Sequence, residues 1–256
     1  RMKNEVASEP PPKLETELPC PLNDEQRKAY KALAEGGLQA HGNDLREAIR
    51  QSSMHVFSLL TRLRQACCDL GLLPGREHLP ACGTKSDLLI EKLHDLSSSG
   101  AKVLVFSQFT TFLSLIKKRI KLEIPHLEIL ELTGSTRDRS KPVDRFESSK
   151  EPAVMLASLK AAGLGVTLKS ADYVFLMDPW WNPAVEEQAI DRAHRLGRVK
   201  PTFIYRMVAQ GTIEERVRQL QLQKKETFRQ VIGELEKPSG LAEHFSSLEE
   251  LIELKD

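Results

Sequence analysis

Arg192 and Arg195 stand three residues apart in the segment Gln188-Ala189-Ile190-Asp191-Arg192-Ala193-His194-Arg195-Leu196-Gly197-Arg198, and Gln188 lies four residues before the first of them. On a helix these three side chains share one face. Two guanidinium groups on one face repel, so the arrangement makes physical sense where both converge on an anion. Planar forks suit the spread charge of a transferring phosphoryl group, which makes Arg192 and Arg195 candidate arginine fingers. The contrasting reading is a solvated helix face, the ordinary setting of two arginines at this spacing.

Three more segments place polar or glycine-rich residues directly behind short apolar runs. Ser107-Gln108-Phe109 follows Lys102-Val103-Leu104-Val105-Phe106. Ser158-Leu159-Lys160-Ala161-Ala162-Gly163-Leu164-Gly165 follows Ala153-Val154-Met155-Leu156-Ala157. Asp178-Pro179-Trp180-Trp181-Asn182-Pro183 follows Tyr173-Val174-Phe175-Leu176-Met177. Runs of this length suit buried parallel strands. Loops at the carboxyl ends of such strands are where open α/β sheets bind ligands, and helix N-termini there favour phosphate. Gly163 and Gly165 allow close backbone approach to a phosphate, although Gly163-Leu164-Gly165 is not the G-x-G-x-x-G fingerprint.

The elements that must position these residues follow from periodicity. Strands are expected at 102–106, 127–132, 153–157, 173–177 and 202–208, alternating with helices at 86–96, 109–121, 139–149 and 184–195. That alternation predicts an α/β fold, a parallel sheet with helices on both faces. Residues 1–22 are proline-rich, without helical or strand periodicity, and read as an extended linker. Asn23 and Gln26 form a capping-box pattern that opens a helix to about residue 35, ended by Gly36-Gly37. A second helix fits 44–70, so 23–80 reads as a helical pair. The α/β body then occupies 81–210. Residues 211–256 hold a long amphipathic helix at about 212–235 and a short one near 247–254.

The bulk properties narrow the classes of function. The chain has 256 residues, with 37 Lys+Arg against 36 Asp+Glu. That balance excludes a protein that coats nucleic acid by bulk charge, though not a local basic groove. No apolar run approaches the ~20 residues of a membrane span, and the charged start is unlike a signal peptide. The four cysteines, Cys20, Cys67, Cys68 and Cys82, are too few for a disulfide scaffold. A zinc site from Cys67, Cys68, His78 and Cys82 would need adjacent cysteines as ligands, a poor spacing. No metal site is expected, and the thiols read as reduced.

Five segments, in order, resemble the motifs of Swi/Snf-family helicase-like ATPases, superfamily 2 DNA translocases. Residues 103–109 are similar to motif IV. Leu132-Thr133-Gly134-Ser135-Thr136 resembles motif IVa, residues 158–168 resemble motif V, and 178–183 resemble the D-x-x-W-N-P motif behind it. Residues 188–197 resemble motif VI, Q-A-x-D-R-x-H-R-x-G. Outside this core, Arg1-Met2-Lys3 resembles the end of the family's first lobe, Leu63-Arg64-Gln65-Ala66-Cys67-Cys68 its helical protrusion, and the 212–235 helix its brace helix. The resemblance therefore implies the C-terminal half of the motor: a helical protrusion plus a second RecA-like lobe of the P-loop NTPase type.

The same resemblance implies roles. Arg192 and Arg195 would be fingers reaching ATP held by the first lobe. Gln188, Gly163 and Gly165 would help close the nucleotide cleft. Ser107, Gln108, Thr133, Gly134, Ser158 and Lys160 would contact the backbone of double-stranded DNA, and Trp181 and Asn182 would lie near its groove. No G-x-x-x-x-G-K-[ST] occurs, so ATP and Mg2+ would be bound mainly by the first lobe, and the isolated chain is expected to hydrolyse no ATP. Asp24-Glu25-Gln26-Arg27 imitates a D-E-x-x box but reads as a helix cap. Ala162, Thr167 and Arg198 depart from the usual Gly, Asn and Gln. A DNA-bound protein is a possible substrate of the whole enzyme. The expected setting is cytoplasmic, on the nucleoid, for a bacterial protein and nuclear for a eukaryotic one. Two rivals stand beside this reading: a non-catalytic DNA- or protein-binding module with degenerate motifs, and an RNA-directed superfamily 2 helicase lobe.

Overall fold

The computed structural model describes residues 12–162, 166–194, 200–223, 245 and 247–255. Its elements run β1 (Lys13–Cys20), α1 (Asp24–His41), α2 (Leu45–Cys68), α3 (Thr84–Ser98), β2 (Lys102–Ser107), α4 (Thr110–Glu123), β3 (Glu128–Leu132), α5 (Ser140–Ser148), β4 (Ala153–Ser158), α6 (Leu159–Ala162), β5 (Tyr173–Leu176), α7 (Pro183–Ala193), β6 (Thr202–Ala209), α8 (Ile213–Gln223) and α9 (Leu248–Ile252). The six strands form one sheet in the order β1-β6-β5-β2-β4-β3, and every pairing is parallel. The α/β expectation is met: this is the RecA-like arrangement, with β2 and β4 buried along their whole length.

Alternation along the strands sends side chains to two cores. Val103, Val105, Val154, Leu156 and Phe175 face helices α3 and α4, meeting Leu89, Leu93, Phe112 and Ile116. Leu104, Phe106, Met155, Val174 and Leu176 face the other way, onto Phe146 of α5 and Ala189, Ile190 and Ala193 of α7. A third core lies among α1, α2, α8 and α9, around Tyr30, Leu45, Leu60, Leu63, Ile213, Val217 and Leu251. The helical pair is thus packed onto the C-terminal helices, with Ala209 of β6 in the same core.

Three expectations need correction. The segment 1–22 is not a connector throughout, because Lys13–Cys20 is an edge strand paired with β6 along all eight of its residues. Its pattern is hidden by charge: Lys13, Glu15 and Glu17 all turn to ion pairs with other elements, and Pro19 is tolerated because the strand lies at an edge. Second, Gly36-Gly37 does not end α1. A Cβ at Gly37 would lie 2.3 Å from Leu59 Cδ2, so this glycine lets α1 and α2 approach. The helix ends instead at Gly42, whose φ of 69° suits glycine alone. Third, the helix expected at 184–195 stops at Ala193, which bears on the arginine pair below. Of the expected 212–235 helix, α8 accounts for Ile213–Gln223, and residues 224–235 lie outside the described residues.

The capping box and the end of α2 agree with the sequence. Asn23 accepts from the Gln26 N–H and Gln26 returns the bond, a complete capping box, so the D-E-x-x look-alike is a helix start. Cys67 and Cys68 end α2 and are buried. Burial pushes the Cys20 thiol up to about 11 and raises those of Cys67 and Cys68 as well, which keeps these three as thiols at neutral pH. Among the described residues no group of three or more His, Cys, Asp or Glu could hold a metal ion, and no helix is long and apolar enough to cross a membrane.

Candidate nucleotide and nucleic-acid interface

Because every strand runs the same way, the loops after β2, β3, β4 and β5 emerge along one edge of the sheet. That edge gathers Ser107, Gln108, Thr133, Gly134, Ser158, Lys160, Trp181 and Asn182, whose first and last members lie 75 positions apart in the sequence. They fall into two kinds. Some spend their polar atoms inside the chain. Ser107 is fully buried, donates to Asp178 Oδ1 at 2.5 Å and accepts from the Phe109 N–H at 3.0 Å. Ser158 accepts from the Ala161 N–H at 3.3 Å, starting α6. Asn182 accepts from the Ala184 N–H at 3.0 Å as the N-cap of α7, with Pro183 behind it. Thr133 is drawn into its own turn, with its hydroxyl 2.8 Å from that of Ser135 and its N–H on Thr136 Oγ1.

The others face outward. Lys160 and Gly134 are exposed, and a side chain at Gly134 would meet open space. Gln108 and Trp181 are half-buried. The two tryptophans divide: Trp180 packs against the α7 side of the sheet, whereas Trp181 packs against the helical core of α1 and α2.

Behind this edge stands a buried polar frame that sequence reasoning did not find. Asp178 takes the Ser107 hydroxyl and the Gln108 N–H, at 3.2 Å to Oδ2. Arg64 comes from α2, bonds Gln108 Oε1 at 3.1 Å and the Pro179 carbonyl, and lies 3.9 Å from Asp178. Its guanidinium sits between the rings of Phe109 and Trp181, at 5.9 and 5.5 Å. Below lies a second frame. Lys85 of α3 is fully buried and pairs with the equally buried Glu214, and it also donates to the Met177 carbonyl at 2.6 Å. Glu214 further accepts from the Ala209 N–H at 3.0 Å. Burial pulls the Lys85 ammonium down, but the Glu214 charge outweighs it and the Lys85 pKa is raised on balance. Lys85 stands in Thr84-Lys85-Ser86-Asp87 and Glu214 beside Glu215-Arg216, so their neighbours along the chain give no sign of burial.

The second candidate group lies at the end of α7. Gln188 is exposed and Arg192 is half-buried in the last turn. His194 leaves helical geometry, with φ −101° and ψ 94°. The Arg192 carbonyl accepts from the Leu168 N–H at 2.9 Å, so the tail of the motif V segment meets the last turn of α7. The single helical face expected for Gln188, Arg192 and Arg195 therefore ends at Ala193. Arg195, Gly163 and Gly165 lie outside the described residues.

Helix α7 itself is anchored by charge. Arg206 of β6 is buried and binds Glu186, Glu187 at 3.0 Å and Glu15 of β1 at 3.3 Å. Lys13 of β1 donates to Asp191 at 2.7 Å, and Gln221 of α8 donates to Glu186 at 3.0 Å. The arginine-bearing helix is thus tied to β1, β6 and α8.

Known proteins agree with this arrangement. The helicase conserved C-terminal domain matches residues 84–197. An uncharacterized ATP-dependent helicase of Mycoplasma genitalium is 34% identical over 238 residues, which is 91% of this chain and 22% of that protein. The DNA repair protein RAD5A of Arabidopsis thaliana is 40% identical over 167 residues, 64% of this chain and 16% of its own length. The chain thus spans about a fifth of the length of such relatives. Among solved structures, the Sulfolobus solfataricus SWI2/SNF2 ATPase core in complex with dsDNA superposes with a TM-score of 0.77 at 28% identity, covering 96% of this chain and 51% of that one. The separate C-terminal domain of a Sulfolobus solfataricus SWI2/SNF2 ATPase matches over 96% of this chain and 100% of its own length, with a TM-score of 0.73 at 26% identity. The order of the motifs, the all-parallel sheet and these similarities together place the chain in the Swi/Snf family of helicase-like ATPases, as the C-terminal half of its motor.

Proposed function

We propose that this chain is the second motor lobe of an ATP-dependent double-stranded DNA translocase or remodeller. The observation that carries the reading is the separation of two surfaces on one rigid sheet. One is a loop edge bearing Gln108, Gly134, Lys160 and Trp181. The other is the end of α7, where Arg192 meets the motif V tail through Leu168. The first is suited to the phosphate backbone of DNA, where contact is independent of sequence. The second is suited to ATP held by a partner lobe, with Arg192 and Arg195 as fingers and Gln188, Gly163 and Gly165 lining the cleft. No G-x-x-x-x-G-K-[ST] occurs in the sequence, and in this reading the phosphate loop and the metal belong to the first lobe.

Ser107, Ser158 and Asn182 shape their loops with side chains already bonded inside the chain, which leaves backbone N–H groups, Gln108 and Lys160 as the main grip. Relatives include ATP-dependent helicases and DNA repair proteins, and one neighbour is in complex with dsDNA. A DNA-bound protein as the substrate of the whole enzyme, and a nuclear or nucleoid setting, follow from the same reading.

Binding of duplex DNA measured across a salt series tests the grip. With few cations at the loop edge, the affinity should fall with salt at a shallow slope, about −1 to −3 in log K against log salt. Binding that ignores salt, or no binding to duplex at all, would count against the assignment. Replacing Lys160 by Ala should reduce the slope by about 1.

A further inference from the structure

Arg64 belongs to the helical pair, yet its side chain is spent on the two loops of the nucleic-acid edge. It is 4% exposed, and it bonds Gln108 Oε1 at 3.1 Å in the β2–α4 loop and the Pro179 carbonyl in the β5–α7 loop. Asp178 lies 3.9 Å away and also takes the Gln108 N–H. Phe109 from one loop and Trp181 from the other flank the guanidinium. A side chain of α2 therefore bridges two loops that Asp178 also joins directly.

It also sets the orientation of one amide. Arginine has donors only, so the Gln108 atom facing it must be the oxygen. The Gln108 NH2 group is then turned away from Arg64, and its Nε2 is buried without a hydrogen-bond partner. A buried donor without an acceptor is unfavourable, and nothing in its own surroundings satisfies it. Gln108 as a whole is only half-buried, so the unpartnered amide belongs to a side chain that reaches the surface of the loop edge.

We infer that Arg64 is a positioning residue: it fixes the Gln108 amide with its N–H groups toward an anionic oxygen of the nucleic-acid backbone and ties that contact to helix α2. A phosphate oxygen is an acceptor only, so an amide presented the other way would repel it. The inference rests on the DNA reading above and adds to it a residue of the helical pair, outside the loops.

The test uses the full-length protein and compares the parent with Arg64→Lys and Gln108→Glu. ATP turnover is titrated with duplex DNA, and thermal midpoints are recorded alongside. Arg64→Lys keeps the charge but loses the fork. It should raise the half-saturating DNA concentration about tenfold, the change falling there rather than on turnover at saturating DNA. Gln108→Glu keeps and strengthens the bond to Arg64 while presenting a carboxylate to phosphate. It should raise the half-saturating concentration at least as much with no fall in thermal midpoint. Half-saturating concentrations equal to the parent's in both variants, with a lower midpoint for Arg64→Lys, would make Arg64 a packing residue and overturn the inference. If Arg64→Lys does not fold, Gln108→Glu decides alone. A parent with no response to DNA removes the DNA reading itself, and the inference with it.

Discussion

Arg195→Ala in the full-length protein is expected to lower DNA-stimulated ATP turnover by roughly three orders of magnitude, with Arg192→Ala also strongly impaired. A finger acts on charge that develops as the phosphoryl group transfers, so its loss should appear in kcat much more than in KM for ATP. Arg192 is held in the last turn of α7, whose carbonyl bonds Leu168 and whose first turn is fixed by Arg206 and Gln221. Arg195 comes after His194, where helical geometry has ended. Arg195→Lys, which retains charge without the planar fork, should recover little. A fall of less than about tenfold for both alanine variants would place the pair on an ordinary solvated face.

Lys85→Ala should be the most destabilising single substitution outside the apolar cores, by about 3–5 kcal/mol. It leaves the Glu214 carboxylate fully buried with only neutral donors, the Ala209 N–H at 3.0 Å and the Cys68 thiol at 3.9 Å, among the described residues. At this chain length the loss corresponds to a thermal midpoint lower by roughly 10 °C. Its dependence on pH has a definite sign. Burial already raises the Glu214 carboxyl above its ordinary value, with Lys85 pulling it back, and removing Lys85 raises it further. The folded variant then holds that proton more tightly than the unfolded chain does. Its stability is greatest below the unfolded carboxyl value and declines as pH rises toward the folded value. The deficit against the parent should therefore be smaller near pH 4 than at pH 8 in denaturant unfolding. Lys85→Met combined with Glu214→Leu should regain much of the loss, since burial of a matched apolar pair carries no desolvation cost for charge.

Much of the fold can be read from the sequence because its strands are uniform. Residues 102–107 and 153–158 are buried on both faces, so an unbroken apolar run identifies them without any need for alternation. Strand β1 is the opposite case: its charges pair with β6, α7 and α8, and from the sequence alone those charges look like solvent exposure. The Gly36-Gly37 pair misleads for a related reason. Gly37 serves the contact with Leu59 on another helix, and a packing requirement from a distant segment leaves no local sign.

The candidate site divides along the same line. The loop residues are visible because their order resembles a family. Their division of labour is not, because whether Ser107 or Gln108 faces outward depends on Asp178, which lies 71 positions from Ser107. Arg64 stands in a segment that resembles the helical protrusion, but nothing in its neighbours along the chain announces that its side chain ends beneath Gln108 and Trp181. Long-range polar frames of this kind are set by tertiary contact, which periodicity does not encode.

The most direct measurement of the central claim is ATP turnover by the full-length protein with duplex DNA, with duplex RNA at matched phosphate concentration, and with neither. The account predicts turnover stimulated by duplex DNA, little response to RNA, and loss of the DNA response in Arg195→Ala. Equal stimulation by RNA would move the lobe to an RNA-directed helicase, and turnover indifferent to both would contradict a DNA-driven motor.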